Sequence, residues 1–260
     1  MNLKQKLNAK QLLLGTFIKS THYHNTEVLA HTNLDVLCLD AEHAPFDRGD
    51  LDSCIMAART KNMPTLIRVS NTDHATLLSS LDIGADGLVL PHIKTPEQAK
   101  AIIKNCFYGN NGRGYAGSSR FAGYTTHALT DNLASNKSST CIIAQIEDAD
   151  ALDNIEQLCQ IDEIDCIFIG RMDLTISLGE TNPSAPIVLE AVTKIAKAAA
   201  KYNKCCGMFV GNLSELSHWQ SLGVSFYLLG SDHSFLLSGA KQLRDQFETA
   251  TGAQNNEHSQ

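Results

Sequence analysis

Eight short runs of β-forming character recur along this 260-residue chain, and segments with helical apolar spacing lie between them. The runs are Leu12 to Phe17, Val36 to Leu39, Thr65 to Val69, Gly87 to Leu90, Cys141 to Ile146, Cys166 to Ile169, Gly207 to Val210 and Ser225 to Leu229. Sets such as Leu51-Ile55-Ala58, Leu77-Leu78-Leu81 and Val188-Val192-Ile195-Ala199 mark single faces of the intervening helices. Alternating strands and helices make a parallel sheet, because only a crossover helix returns the chain to start the next strand in the same direction. Eight units of roughly 32 residues predict a (β/α)8 barrel of the TIM type, as one domain over residues 1–250. A doubly wound sheet would need a nucleotide fingerprint. The glycine-rich stretch Gly109 to Gly117 follows a helix rather than a strand, which is the wrong context for one.

The formal charge of −7 and the absence of any Lys/Arg block argue against a nucleic-acid or anionic-membrane partner and for small-molecule substrates. No apolar stretch approaches the roughly 20 residues of a membrane span, and Met1-Asn2-Leu3-Lys4-Gln5-Lys6 lacks the apolar region of a secretory signal. A cytoplasmic protein is expected. Cys38, Cys141, Cys166 and Cys206 sit in apolar strand runs, where a free thiol behaves as a small hydrophobe. Adjacent Cys205 and Cys206 point to opposite faces of a strand, and no C-x-x-C pair exists, so neither a disulfide framework nor a thiolate zinc site is expected. Polar residues 251–260 read as a frayed tail.

In parallel α/β sheets chemistry collects at the carboxyl ends of the strands. The second strand runs into Asp40-Ala41-Glu42-His43-Ala44-Pro45 and the third carries Arg68. An arginine inside a barrel cannot stay unpaired, and Asp40 on the neighbouring strand is its expected partner, whether the pair is purely structural or grips a substrate oxygen. The fifth strand ends Gln145-Ile146-Glu147, with Gln145 and Glu147 on one face by period two, and the sixth is followed by Gly170-Arg171-Met172-Asp173. Glu147 and Asp173, on neighbouring strands, suit a hard divalent cation, although two acids capping helices would give the same pattern. Gly170 permits a close approach to the backbone there.

Other candidates compete. The irregular segment from Cys106 to Ala128 is either a surface excursion or a binding loop whose Arg113, Arg120, Ser118 and Ser119 reach an anionic substrate. His22-Tyr23-His24 is an H-x-H pair, but it lies five residues past the first strand. Schiff-base chemistry needs a lysine at a strand end, and Lys19 and Lys94 read as solvated loop residues.

Six pieces in order carry a resemblance: Asp40-Ala41-Glu42-His43-Ala44-Pro45, Ile67-Arg68-Val69, Leu81-Asp82-Ile83-Gly84-Ala85, Gln145-Ile146-Glu147, Gly170-Arg171-Met172-Asp173-Leu174 and Leu229-Gly230-Ser231-Asp232. From Leu14-Gly15-Thr16 to about Phe247, the chain resembles the class II pyruvate aldolases of the HpcH/HpaI family, whose prototype cleaves 4-hydroxy-2-oxo acids. The resemblance implies a (β/α)8 barrel that assembles as a hexamer of dimers exchanging their last helix. It places a divalent ion (Mg²⁺, Mn²⁺ or Co²⁺) on Glu147 and Asp173, the catalytic histidine at His43, its acidic partner at Asp82 and the enolate-binding arginine at Arg68. The expected substrate contacts are Arg68, Gln145, Gly170, Met172, Asp173 and Phe209.

The chain departs from the pattern in two places. Where many relatives have Gly-Pro-Ala-Asp, Arg171-Met172 is expected to add bulk and charge beside the metal. Phe209 takes a place where some relatives of the resembled family carry a smaller aliphatic residue near the aldehyde path. A citrate-forming or other enolate condensation of the same superfamily, and a non-catalytic barrel, are the alternative functions. The role of Glu42 is left open.

Overall fold

The computed structural model describes residues 1–252; the expected tail lies outside them from residue 253 onward. The strands are β1 Leu13–Ile18, β2 Val36–Asp40, β3 Thr65–Arg68, β4 Gly87–Leu90, β5 Cys141–Ile146, β6 Cys166–Ile169, β7 Cys205–Phe209 and β8 Val224–Ser231. They pair in parallel and in chain order into a closed barrel, with β8 returning to β1. The helices are α1 Leu3–Asn8, α2 Tyr23–Ala30, α3 Arg48–Arg59, α4 His74–Asp82, α5 Pro96–Lys104, α6 Leu129–Ser139, α7 Ile155–Cys159, α8 Arg171–Ser177, α9 Pro186–Lys201, α10 Leu216–Ser221 and α11 Asp232–Thr251. Among the described residues, no helix is long and apolar enough to cross a membrane.

Strand alternation sorts the apolar residues into two cores. Leu37, Leu39, Ile67, Ile142, Ile167 and Cys206 face outward against the helices. Leu13, Val36, Cys38, Leu66, Cys141, Phe168, Cys205 and Phe226 fill the barrel's inside. Cys205 and Cys206 thus part to opposite faces, and all eight cysteines are free and buried. Small residues on the inner face make room for the large ones: a Cβ at Gly207 would lie 2.8 Å from the ring of Phe226 and 2.9 Å from that of Phe168.

Asp232 joins the end of the barrel to its beginning. Its carboxylate accepts from the backbone N–H groups of Lys19 (2.9 Å) and Ser20 (3.0 Å) and from the Asn25 amide (3.3 Å). Beyond this first turn α11 stands away from the barrel, with Phe235, Leu236, Leu237, Leu243 and Phe247 exposed.

Burial alone would raise the Asp232 carboxyl, but the hydrogen bonds from Ser20, Lys19 and Asn25 outweigh it and hold its pKa below the ordinary value. A depressed folded pKa contributes stability above the unfolded value of about 3.9, and that stability is lost as pH falls through the lower folded value. Asp232→Asn should cost about 1 to 3 kcal/mol at pH 7, the range for hydrogen bonds to a charged group. In thermal unfolding the gap to wild type should narrow below about pH 4; a gap independent of pH would contradict the assignment.

Candidate active site at the carboxyl rim of the barrel

The inward parity that builds the core also builds the site. Asp40, Arg68 and Gln145 are the next inward positions after Cys38, Leu66 and Ile143, so each strand turns from apolar to polar as it reaches the rim. Above them opens a cavity of about 570 Å³ lined by His43, Arg68, Gln145, Gly170, Asp173 and Phe209, among others.

Asp40 and Arg68 face each other in register and form a two-pronged pair, Nε to Oδ1 at 2.9 Å and Nη2 to Oδ2 at 2.8 Å. Burial would raise the Asp40 carboxyl, yet the Arg68 guanidinium, then Lys19 and the His43 backbone N–H, hold it below the usual range. Arg68 also lies 4.7 Å from the centre of the Phe17 ring, a cation–π contact. Its Nη1 has no protein partner among the described residues, which leaves one prong of the fork for a substrate oxygen.

A second cluster sits beside this pair. Glu147 is buried and touches the Gln145 amide, so the two share one face as their spacing predicts. The N–H of His92 donates to Glu147 Oε1 at 2.9 Å, and ligand atoms of Glu42, His92 and Glu147 lie within 4.8 Å of one another. Burial, followed by the repulsion of Glu147, raises the Glu42 carboxyl against the opposing pull of Arg68. Burial would lower the His92 imidazolium, but its hydrogen bond to the Asp148 carboxylate and the charges of Glu147, Asp148 and Glu42 leave its pKa raised. Glu42 Oε2 and Gln145 Oε1 are buried with no hydrogen-bond partner. Two carboxylates held this close beside orphaned acceptors make a donor set that fits a hard divalent cation. His92 carries no motif in the sequence; its left-handed backbone (φ 53°) after Pro91 is what turns it into the site.

The remaining candidates separate. Asp173, half-buried in the first turn of α8, lines the cavity beside exposed Met172. Arg171 lines the same cavity as Asp173, and its fork is partnered. Its Nε donates to the Pro183 carbonyl (2.9 Å), Nη1 pairs with Glu215 and Nη2 reaches Ser184 (3.4 Å), while its fork lies 5.5 Å from the Trp219 ring. The acid beside His43 is Glu42, 3.7 Å from Nε2, whereas Asp82 closes a 2.6 Å ion pair with buried Arg113. Arg120 is likewise spent on Asp52 and the Ile83 carbonyl, so within this chain the 106–128 segment brings neither arginine to the cavity. The rings of His22 and His24 meet at a 48° tilt, 4.6 Å apart, at the exposed start of α2. Lys19 and Lys94 are not merely solvated: Lys19 pairs with Asp40 at 3.0 Å and lines the cavity, and Lys94 pairs with Asp148 at 3.1 Å.

Comparison with known proteins decides the class. The family model described as HpcH/HpaI aldolase/citrate lyase matches residues 13–238. The chain belongs to that family. Its activity is that of a class II aldolase, a carbon–carbon lyase. A 5-keto-4-deoxy-D-glucarate aldolase from Shigella boydii is 30% identical over 247 residues, 94% of this chain and 95% of the relative. A hydroxypyruvate/pyruvate aldolase from Paraburkholderia phytofirmans is 29% identical over 248 residues, 92% of this chain and 95% of its own. The crystal structure of an HpcH/HpaI family protein from Burkholderia cenocepacia superposes with a TM-score of 0.89 at 28% identity, covering 95% of this chain and 98% of the other. The citrate synthase SbnG superposes at 0.85 with 24% identity, covering 97% and 99%, a likeness of fold.

For this HpcH/HpaI aldolase the glycine at the start of α8 is a steric requirement. A Cβ on Gly170 would lie 2.6 Å from Glu147 Oε2 and 2.7 Å from Glu147 Cβ. Gly170→Ala should therefore push Glu147 off its position and weaken Mn²⁺ binding at least about tenfold by calorimetric titration. Unchanged Mn²⁺ affinity would remove Glu147 from the cation site.

Proposed function

We propose that the chain cleaves, and in reverse forms, a 4-hydroxy-2-oxo acid, giving pyruvate or a close 2-oxo acid and an aldehyde. The observation that carries this reading is the convergence of acidic ligands on one side of Arg68 with His43 at the rim above them. Glu147 and Asp173 are the proposed ligands of Mg²⁺, Mn²⁺ or Co²⁺; ligand atoms of Glu42 and His92 lie within 4.8 Å of one of Glu147, while Asp173 lines the cavity. A divalent cation there supplies Lewis-acid stabilisation of charge developing on a keto oxygen.

The chain's own residues do the rest. The free Nη1 of Arg68 donates to the keto oxygen as it gains charge, and the pair with Asp40 keeps the guanidinium from swinging away. Gln145, Gly170 and Met172 bound the floor and wall against which the 2-oxo acid lies. His43, exposed at the rim, takes the proton of the 4-hydroxyl through its imidazole. The C3–C4 bond breaks, its electron pair passes into the enolate, the aldehyde leaves past Phe209, and protonation at C3 completes the 2-oxo acid. In this account Glu42 orients His43 from 3.7 Å while facing Arg68 Nε at 3.3 Å. In this proposal Glu42 stands, within the chain, where the family resemblance gives Asp82 as partner of His43.

Purified protein should release pyruvate from a 4-hydroxy-2-oxo acid with Mg²⁺, Mn²⁺ or Co²⁺ and stop when the ion is chelated; turnover that survives chelation would sink the reading. Arg68→Lys should lower kcat by about two orders of magnitude, as loss of an oxyanion donor does, with little change in fold by circular dichroism. Full activity in that variant would show that the fork is not what the site requires.

The apolar stripe of α11 supports a homo-oligomer in which this helix is exchanged between copies. Exposed Leu237 and Phe247 need a partner surface of comparable character. Leu237→Asp should shift the mass measured by light scattering to a smaller species; an unchanged mass would contradict the exchange.

A further inference from the structure

We propose that the amino-terminal end of the barrel carries a second binding site, which takes a small phosphate monoester with an apolar or aromatic body. A cavity of about 550 Å³ opens there and shares no lining residue with the cavity at the carboxyl rim. Lys4, on its wall, fixes the place: its ammonium donates to the Thr140 carbonyl (3.0 Å) and the Asp165 carboxylate (2.7 Å), the residues just before β5 and β6, and keeps a third donor. Lys100, Lys104 and Lys137 border the same cavity. Among the described residues none of these three has a hydrogen-bond or ion-pair partner. A cation in the last turn of a helix complements the helix dipole, which accounts for Lys104 and Lys137 taken singly. It does not account for Lys100, four residues before Lys104 on the same face of α5, where like charges oppose each other.

The rest of the lining selects the ligand. Ile103, Phe107 and Ile161 give the cavity an apolar side, with the Phe107 ring centre 5.9 Å from the Lys4 ammonium. Asp162 and Glu163 border it as well, and would repel a ligand anionic along its whole length. The charge is therefore gathered at one end of the ligand, and the body is neutral. After α5 the chain folds back on the helix end so closely that a Cβ on Gly112 would lie 2.8 Å from the Lys104 carbonyl oxygen. In that turn the N–H groups of Gly109 and Asn110 meet no acceptor among the described residues, and free backbone N–H groups next to ammonium groups suit phosphate oxygens. A phosphate monoester brings three oxygens and close to two charges to divide among the lysines, where a carboxylate brings two oxygens and one charge.

The probe is phenyl phosphate, titrated calorimetrically into the full chain without added metal, with inorganic phosphate and benzoate for comparison. Wild type should bind phenyl phosphate at least about tenfold more tightly than either, because the ring buries apolar surface and the phosphate adds charge-assisted contacts. The double change Lys100→Gln with Lys104→Gln, both exposed and so neutral to the fold by circular dichroism, should weaken binding at least about tenfold. Lys104→Arg should keep most of the affinity, and Phe107→Ala should lower phenyl phosphate to the level of inorganic phosphate. Arg68→Lys, at the opposite end of the barrel, should leave the affinity unchanged, and pyruvate should not displace the probe. No binding by wild type, equal affinity for phenyl and inorganic phosphate, indifference to the lysine changes, or loss of binding in Arg68→Lys would each overturn the proposal.

Discussion

Inside the mouth of the barrel, Asp40 and Arg68 meet at 2.8 and 2.9 Å with Asp40 fully buried. Neither charge could stand there alone, since breaking a buried pair from one side costs about 3 to 5 kcal/mol. The pair therefore fixes the orientation of the guanidinium more firmly than either strand could. Nη1 is left free, Phe17 covers the fork's face, and Glu42 is drawn to 3.3 Å from Nε. Lys19 adds its ammonium to the same carboxylate, so one buried Asp organises two cations of the site.

The acids on the other side have the opposite need. Glu42 and Glu147 approach one another without enough donors between them, and burial raises the cost of the Glu42 charge. His92 supplies partial relief by a backbone N–H and an imidazole, and a divalent cation would supply more. The two halves of the mouth thus hold complementary deficits. Among the described residues Arg68 lacks an anion for Nη1 and the acids lack a cation; a 2-oxo acid with a divalent ion would supply both. Arg171 contributes from behind, tying α8 to the Pro183-Ser184 loop and to Glu215, whose carboxyl stays below its usual range despite burial because Trp219 and Arg171 donate to it.

Much of this was legible from local pattern. Period-two alternation carries directly from core to rim, so the inward places of Asp40, Arg68, Gln145 and Glu147 follow from the same parity that places Cys38, Leu66 and Ile143. Strand starts and ends shift by one or two residues, as at β7, which begins at Cys205 rather than Gly207. What pattern could not supply was the direction of long side chains in loops. The pairings of Arg171 with Glu215 and of Lys19 with Asp40 are not legible in the sequence, because nothing in their neighbourhoods distinguishes a solvated arm from one folded back onto an acid. The segment that carries Arg113 and Arg120 reads equally as a surface excursion or a binding loop, and Asp82 and Asp52, distant in sequence, claim the two arginines. His92 was missed because its entry depends on one left-handed residue, which a histidine adopts without any glycine to announce it.

In the proposed reaction the mouth turns a 2-oxo acid into its enolate, with Arg68 donating to the oxygen that gains charge and a divalent ion, held by the acids, able to share it. The direct measurement is exchange of the methyl protons of pyruvate with D₂O, followed by proton NMR with the Mg²⁺-loaded enzyme and no aldehyde present. The account predicts catalysed exchange that stops when the ion is chelated. Exchange that persists after chelation, or its absence from enzyme that still cleaves a 4-hydroxy-2-oxo acid, would contradict it.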